Sequence, residues 1–206
     1  MSETPALRID PPAFLAEPAL VAVMAALPEA RVVGGAVRDA LAGREVGEID
    51  LATPRTPDQV TEALQASGLR AVPTGLSHGT VTAVVDGHGF EVTTLRRDVE
   101  SDGRHAVVAF TDDWRADAAR RDFTINAMSL TRSGDIFDYF GGIGDLRAGI
   151  LRFVGDPSTR IAEDYLRILR YFRFLARYAG GPAGGVPGQR RGVRRRGENG
   201  LGPGVR

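Results

Sequence analysis

The chain has no cysteine, which excludes disulfides, thiolate zinc sites and cysteine nucleophiles. Lysine is absent too, so all 26 basic residues are arginine. That bias, with abundant Ala and Gly, is what a GC-rich coding sequence produces. Three histidines, His78, His88 and His105, are scattered and form no histidine metal site. No apolar run is long enough to span a bilayer, which argues against a membrane role. Met1-Ser2-Glu3-Thr4 lacks the basic stretch before an apolar core that marks a secretory signal. A cytoplasmic setting is the expectation.

What is present is the composition of a globular protein, 43% hydrophobic and 25% charged over 206 residues. That length has room for one domain, or for a domain plus a fragment. The formal charge of zero hides an asymmetry. From Ala179 onward the texture turns to Gly, Pro and Arg, and this tail carries six Arg and one Glu, about +5. It is too poor in large apolar residues to build a core and is expected to be disordered. The loss of apolar periodicity after Tyr178 is abrupt. A frameshifted reading of a GC-rich gene accounts for it, and resequencing across codon 178 tests that account.

The most informative stretch is Val32-Val33-Gly34-Gly35-Ala36-Val37-Arg38-Asp39, followed by Glu48-Ile49-Asp50. It reads as a strand, a glycine turn, a short helix and a second strand carrying two acids. Alternation puts Glu48 and Asp50 on one face. Two neighbouring carboxylates repel, and a hard divalent cation relieves the repulsion; Mg²⁺ favours one or two carboxylates plus substrate phosphates. Glycine lets backbone approach a ligand, and the following helix can offer N–H groups to a phosphate. The pattern points to metal-assisted nucleotidyl transfer. The plain alternative is a strand-turn-helix with a surface acidic pair.

Residues 12–27 read as a leader helix, 31–34 as a strand, 35–43 as a helix and Glu48–Ala52 as the acidic strand. Thr56-Pro57 opens a helix to about Ala66. Leu69–Val72, Thr80–Val85 and Phe90–Leu95 read as strands, the last two flanking Asp86-Gly87-His88-Gly89, a hairpin signal. Asp98–Val107 reads as a mobile loop. Asp112–Ala119 opens a helix, Ile136–Tyr139 reads as a strand, Gly141–Arg147 as a loop with a short helix, and Arg160–Tyr178 as one amphipathic helix. On that helix Leu166, Leu169, Phe172 and Leu175 fall on one half and Glu163, Arg167, Arg170, Arg173 and Arg177 on the other. The order fits an α/β (α+β) fold, a mixed sheet with helices on one face.

GG-x-V-R-D with an acidic-x-acidic strand resembles the head domain of class II tRNA nucleotidyltransferases and bacterial poly(A) polymerases. That family belongs to the polymerase-beta nucleotidyltransferase superfamily. Glu91-Val92-Thr93-Thr94 with Arg96, the block Arg120-Arg121-Asp122-Phe123-Thr124-Ile125-Asn126-Ala127-Met128, and Glu163-Asp164-Tyr165-Leu166-Arg167 continuing to Arg170 and Arg173 follow in the family's order. The resemblance covers roughly residues 30–178. It implies a mixed, mostly antiparallel sheet with helices on one face. The expected division is a leader helix over 1–30 and a tail over 179–206, with the head over 31–155 and the start of a helical neck over 156–178 implied by the resemblance.

The resemblance also implies the chemistry. Glu48 and Asp50 would hold catalytic Mg²⁺, although the family's pair is usually two aspartates and Glu48 is one methylene longer. Glu91 is the candidate third carboxylate by spacing; its alternative is a cross-strand partner of an arginine. Gly35 and Arg38 would contact the triphosphate, with a salt bridge from Arg38 to Asp39 or Asp50 as the plainer role. Asp39 reads as structural, pinning Arg38. Arg121 would contact nucleotide, while Asp122 holds neighbouring backbone and Asn126 and Met128 face the interior. Asp164 and Arg167 would read the base of CTP or ATP, Asp164 accepting from the exocyclic amine that cytosine and adenine share. Arg170 and Arg173 would continue toward the phosphates. The plain alternative for this helix is a solvated face with a Glu163–Arg167 pair. His78, in a turn, reads as structural. The implied function is template-independent addition of C and A to tRNA 3′ ends. Poly(A) addition, partial CC- or A-addition, and an inactive nucleotide- or RNA-binding remnant are the alternatives.

Overall fold

A computed structural model describes residues 3–75, 79–101 and 106–178. The arginine-rich tail and His78 lie outside the described residues. The strands are β1 (Leu7–Arg8), β2 (Arg31–Val33), β3 (Asp50–Thr53), β4 (Arg70–Gly75), β5 (Thr80–Val85), β6 (His88–Thr94), β7 (Arg96–Ser101), β8 (Ala106–Phe110), β9 (Met128–Leu130) and β10 (Asp135–Asp138). The helices are α1 (Pro18–Ala26), α2 (Gly35–Leu41), α3 (Pro57–Ala66), α4 (Trp114–Ala119), α5 (Gly142–Ala148), α6 (Pro157–Glu163) and α7 (Leu166–Tyr178). Short 3₁₀ turns occupy Ala13–Ala16 and Thr124–Asn126.

Local chemistry explains the best-defined boundaries. Thr56 Oγ1 accepts from the Gln59 N–H at 3.4 Å, and Gln59 Oε1 accepts from the Thr56 N–H at 3.0 Å. This reciprocal cap, with Pro57 in the first turn, starts α3 at the expected place. Asp86 and Gly87 take φ of 50° and 81°, which lets Val85 pair directly with His88 in a tight hairpin.

Eight strands form one sheet in the order β1-β10-β9-β2-β3-β6-β5-β4. Among the described residues, β3 and β6 form its parallel pair and the other neighbours run antiparallel. The mixed, mostly antiparallel sheet is thus as expected. One face carries Val32, Leu51, Val81, Ala83, Val92 and Leu130 into a core shared with Leu20 and Val23 of α1, Val37 of α2, and Val60 and Leu64 of α3. The opposite face buries a smaller group, Val33, Ala52 and Leu95, under Trp114. Helices α1, α2 and α3 cover the first face, and the site lies on the second.

Three expectations need correction. Residues 98–101 and 106–107 belong to the antiparallel ribbon β7–β8 rather than to a loop; residues 102–105 lie outside the described residues. Ala106-Val107-Val108-Ala109-Phe110 is a continuous apolar run compatible with a strand, and the polar count of the residues before it hid it. The acidic strand starts at Asp50, so Glu48 precedes it in an irregular segment.

The third correction concerns Arg160–Tyr178, which is two helices. Asp164 is extended (φ −158°, ψ 107°) and its Oδ1 accepts from the Leu166 N–H at 2.9 Å. A residue that caps the next helix cannot also continue the last one. The buried face also differs. Tyr171, Phe174 and Tyr178 pack against Phe123, Ile125 and Phe153, while Leu166, Leu169 and Phe172 stay exposed. Phe123 meets Phe153 at 4.8 Å and Phe174 at 5.4 Å between ring centroids. Aromatic packing selected the i, i+3, i+7 aromatic stripe over the leucine stripe.

Candidate active site

The site lies where β2, β3 and β6 run side by side. Antiparallel register sets Val33 opposite Asp50, and parallel register sets Asp50 opposite Glu91. Asp50 is therefore next to the glycine turn on one side and next to a second carboxylate on the other. The chain turns sharply after Val33 because Gly34 takes φ of 69°, a conformation that favours glycine. A side chain there would also meet Arg121 Nη1 at 3.1 Å, so Arg121 lies directly against this turn.

A pocket of about 440 Å³ opens beside these strands, lined by Glu17, Glu48, Asp50, His88, Phe90 and Glu91 among others. Dehydration pushes the Asp50 carboxyl above its ordinary value. Glu91 and then Glu48 push it further, and Arg121 pulls it back. The other two sequence-assigned carboxylates and Arg121 thus all act on Asp50. Glu91 pairs across the sheet with Asp50 and Thr82 rather than with an arginine.

Among the described residues, no three acidic or histidine side chains close into a metal cage. The donor set nevertheless suits a hard cation that completes its shell elsewhere. It offers carboxylate oxygens that repel one another, and Mg²⁺ is commonly held by one or two carboxylates plus substrate phosphates. Asp50 and Glu91, with Glu48 close enough to be felt, would be the holders.

Arg121 is aimed by Asp117, a residue the sequence reading passed over. Asp117 is buried and accepts from Arg121 Nη2 at 3.4 Å, Arg120 Nε at 3.2 Å and the Arg96 N–H at 3.2 Å. Its position four residues before Arg121 was the available signal.

Arg38 is enclosed by protein partners. It is buried beside Gly35, with Nε and Nη2 on Asp39 at 3.1 and 2.9 Å and Nη1 on Asn126 Oδ1 at 2.6 Å. The plainer expectation, Asp39 pinning Arg38, is what the geometry shows. Dehydration raises the Asp39 carboxyl, but hydrogen bonds from Arg38 and Tyr178 outweigh it and hold it below the usual aspartate value. Asn126 is buried and donates to Asp122 Oδ1 at 2.9 Å. Asp122 also accepts from the Phe123 N–H at 2.8 Å, the backbone role expected of it.

The helix α7 joins this edge through Arg170, whose Nε and Nη2 reach Asp122 Oδ2 at 2.8 and 2.6 Å. Arg167 is held by Glu163 and by the Arg160 carbonyl, the latter at 2.8 Å. Dehydration raises the Glu163 carboxyl, yet the hydrogen bond from Arg167 and the charge of Arg160 bring it below its ordinary value. Arg173 is exposed and lies 5.4 Å from the Phe174 ring. The structure thus brings Gly34-Gly35, Asp50, Glu91 and Arg121 together and ties in Arg38 and Arg170. Asp164, Arg167 and Arg173 are carried on the attached helical arm and make no direct bond to the carboxylates.

Comparison with known proteins shows the family. Residues 30–152 match the family described as the poly A polymerase head domain. The mitochondrial CCA tRNA nucleotidyltransferase 1 of Danio rerio is 53% identical over 155 residues, 75% of this chain and 36% of that protein. The crystal structure of the Bacillus stearothermophilus CCA-adding enzyme in complex with CTP superposes with a TM-score of 0.69 at 35% identity, over 81% of this chain and 41% of that one. A tRNA nucleotidyltransferase complexed with a primer tRNA and an incoming ATP analog gives a TM-score of 0.61 at 30% identity, over 76% and 44%. The chain spans little more than a third of the length of the curated relative it matches. By the match over residues 30–152, the chain belongs to the poly A polymerase head domain family.

Proposed function

We propose that this chain is the catalytic head of a template-independent RNA nucleotidyltransferase that adds C and A, from CTP and ATP, to tRNA 3′ ends. The observation that carries the reading is the register that sets Asp50 beside Glu91 and next to the glycine turn against which Arg121 lies. The relatives bound to CTP, and to primer tRNA with an ATP analog, support the choice of substrates.

In the proposed reaction the RNA 3′-hydroxyl oxygen forms a bond to the α-phosphorus of the nucleotide. The bond from that phosphorus to the bridging oxygen breaks, and pyrophosphate leaves with the electron pair. The hydroxyl proton passes to solvent. Mg²⁺ held at this edge would favour the alkoxide and neutralise charge on the phosphates. Asp50 and Glu91, with Glu48, fix where the reacting oxygens sit. Arg121, anchored by Asp117, presents donors to phosphate oxygens from the other side of the turn. On α7, Asp164 and Arg167 offer an acceptor and donors for the Watson–Crick edge that CTP and ATP share, and Arg170 and Arg173 add positive charge. Cytoplasmic action is part of the proposal, although the Danio rerio relative is named as mitochondrial.

Poly(A) addition is the second reading, favoured by the family description. Incubation with labelled CTP and ATP and tRNA lacking its 3′ end separates the two: incorporation of ATP alone, in runs, would select it. Inactivity with intact nucleotide binding would select the remnant.

Nucleotide binding gives a direct test. CTP with Mg²⁺ at a hundredfold excess over Kd stabilises the folded state by about 2.7 kcal/mol, a rise of about 5–10 °C in Tm for a domain of this size. UTP and GTP are expected to give smaller shifts. Equal shifts from all four would leave triphosphate binding without base reading. In the transfer assay Glu48→Asp is expected to match or exceed the parent, because Glu48 is exposed in an irregular segment that can follow a shorter side chain. A large loss of turnover would show that the site requires the longer acid.

A further inference from the structure

The geometry points to a latch, Tyr178–Asp39–Arg38–Asn126–Asp122–Arg170, that sets the pitch of α7 against the catalytic edge and so tunes base choice from a distance. This rests on the proposed reading of Asp164 and Arg167 as the base-recognising pair. Tyr178 Oη donates to Asp39 Oδ1 at 2.6 Å. Asp39 accepts from Arg38, Arg38 donates to Asn126, Asn126 donates to Asp122, and Asp122 accepts from Arg170. The chain of bonds therefore begins and ends on α7, passing through α2 and the Arg121–Met128 block in between.

Five of its six members are buried. A buried polar network of this kind is not needed for stability, since apolar side chains of similar volume serve as well or better. Fully satisfied, it rigidifies one arrangement. Contacts around it have the same effect. The Arg38 guanidinium lies 4.4 Å from the Tyr178 ring and 5.0 Å from the Phe174 ring. Arg44 Nη2 donates to the Arg177 carbonyl at 2.8 Å.

The first turns of α7 are held differently. Tyr165, Leu166 and Leu169 are exposed and Arg167 is tied back to α6 through Glu163 and the Arg160 carbonyl, so the base-recognising end moves with α7 as the network seats it. At 1.5 Å per residue, Arg167 stands about 16 Å along the axis from Tyr178. A tilt of ~5° at the latch moves Arg167 by ~1.4 Å, and misplacement on that scale costs about 10²-fold in alignment-dependent chemistry. Tyr178 and Asp39 are on this account positioning residues.

The test is nucleotide competition on the full chain with Mg²⁺, reading the ratio of Kd for UTP to Kd for CTP. Tyr178→Phe keeps the ring and removes only the hydroxyl, and Asp39→Asn weakens the hold on Arg38. Each is expected to lower the CTP preference by at least about fivefold, the lower end of ordinary coupling between sites. Phe123→Leu is the control, since it loosens the same aromatic cluster while keeping every side-chain bond of the network and the backbone N–H on Asp122, and it is expected to lower Tm while keeping the preference. Tyr178→Phe and Asp39→Asn with parental preference would overturn the latch. Equal loss in Phe123→Leu would overturn it too, by showing that loosening alone suffices. A parent chain that binds CTP and UTP alike refutes base recognition by α7, and the latch with it; that pattern differs from a discriminating parent with discriminating variants.

Discussion

Asp50→Ala is expected to abolish nucleotidyl transfer, by at least about a thousandfold, and to leave the fold at least as stable as before. Transfer fails because Asp50 is the carboxylate at the centre of the arrangement, with Glu91 beside it in register and Arg121 acting on it from the glycine turn. Stability holds because its charge is a liability to the folded state. Its carboxyl is raised on folding by dehydration and by Glu91 and Glu48, so the folded chain binds the proton more tightly than the unfolded chain. The penalty is fully present above the raised value and vanishes below the ordinary aspartate value of 3.8. The variant is therefore expected to melt at or above the parent Tm at neutral pH, with the difference closing as pH falls below about 4. Turnover on tRNA lacking its 3′ end, Mg²⁺-dependent CTP binding, and melting at two pH values measure all of this. Parental turnover, or a Tm well below the parent at pH 7, would refute the assignment.

The second large effect is on choice rather than rate. Asp164→Ala is expected to collapse the preference for CTP and ATP over UTP and GTP. Sites that hydrogen-bond a substrate group discriminate strongly, because the wrong substrate leaves polar groups unpaired. Asp164 also caps α7, and a lost cap costs about 1 kcal/mol. Asp164→Ser separates the two roles. Serine caps a helix about as well as aspartate but is too short and uncharged to serve as the same acceptor. The serine variant is expected to melt like the parent and discriminate like the alanine variant. Arg173→Ala is expected to weaken all four nucleotides alike, whereas Arg170→Ala also removes the Asp122 end of the network and is expected to lower the CTP preference as well. If the serine variant keeps parental selectivity, the start of α7 is a solvated face and nothing more.

Short-range chemistry was the part of this fold open to reading from sequence. Thr56, Pro57 and Gln59 fix a helix start within four residues, and Asp86-Gly87 fixes a hairpin, so both appeared where expected. The pairing of Asp50 with Glu91 was reachable because Glu91 sits on a strand and its acidity needed a purpose. Long-range partners were not reachable. Nothing local says that Tyr178 bonds Asp39, or that Arg38 gives its donors to Asn126. The break at Asp164 was hidden because helical periodicity ignores a residue whose side chain caps the next turn. The exposed leucines of α7 misled for a related reason: an apolar stripe shows what could be buried, and Phe123 and Phe153 decided which stripe was.

The parallel pairing of β3 with β6 has a consequence for how the molecule assembles. Asp50 and Glu91 are distant in sequence, with α3, β4 and β5 lying between the strands that carry them. The catalytic edge is therefore closed by non-local contact, the slow kind, and it is closed against mutual repulsion of its own acids. The energetic obstacle to zipping this seam is the same charge that makes it a place for a cation. A divalent ion or mild acid present during refolding is expected to lower that obstacle, so the ion proposed for the reaction would also ease the formation of the site proposed to hold it.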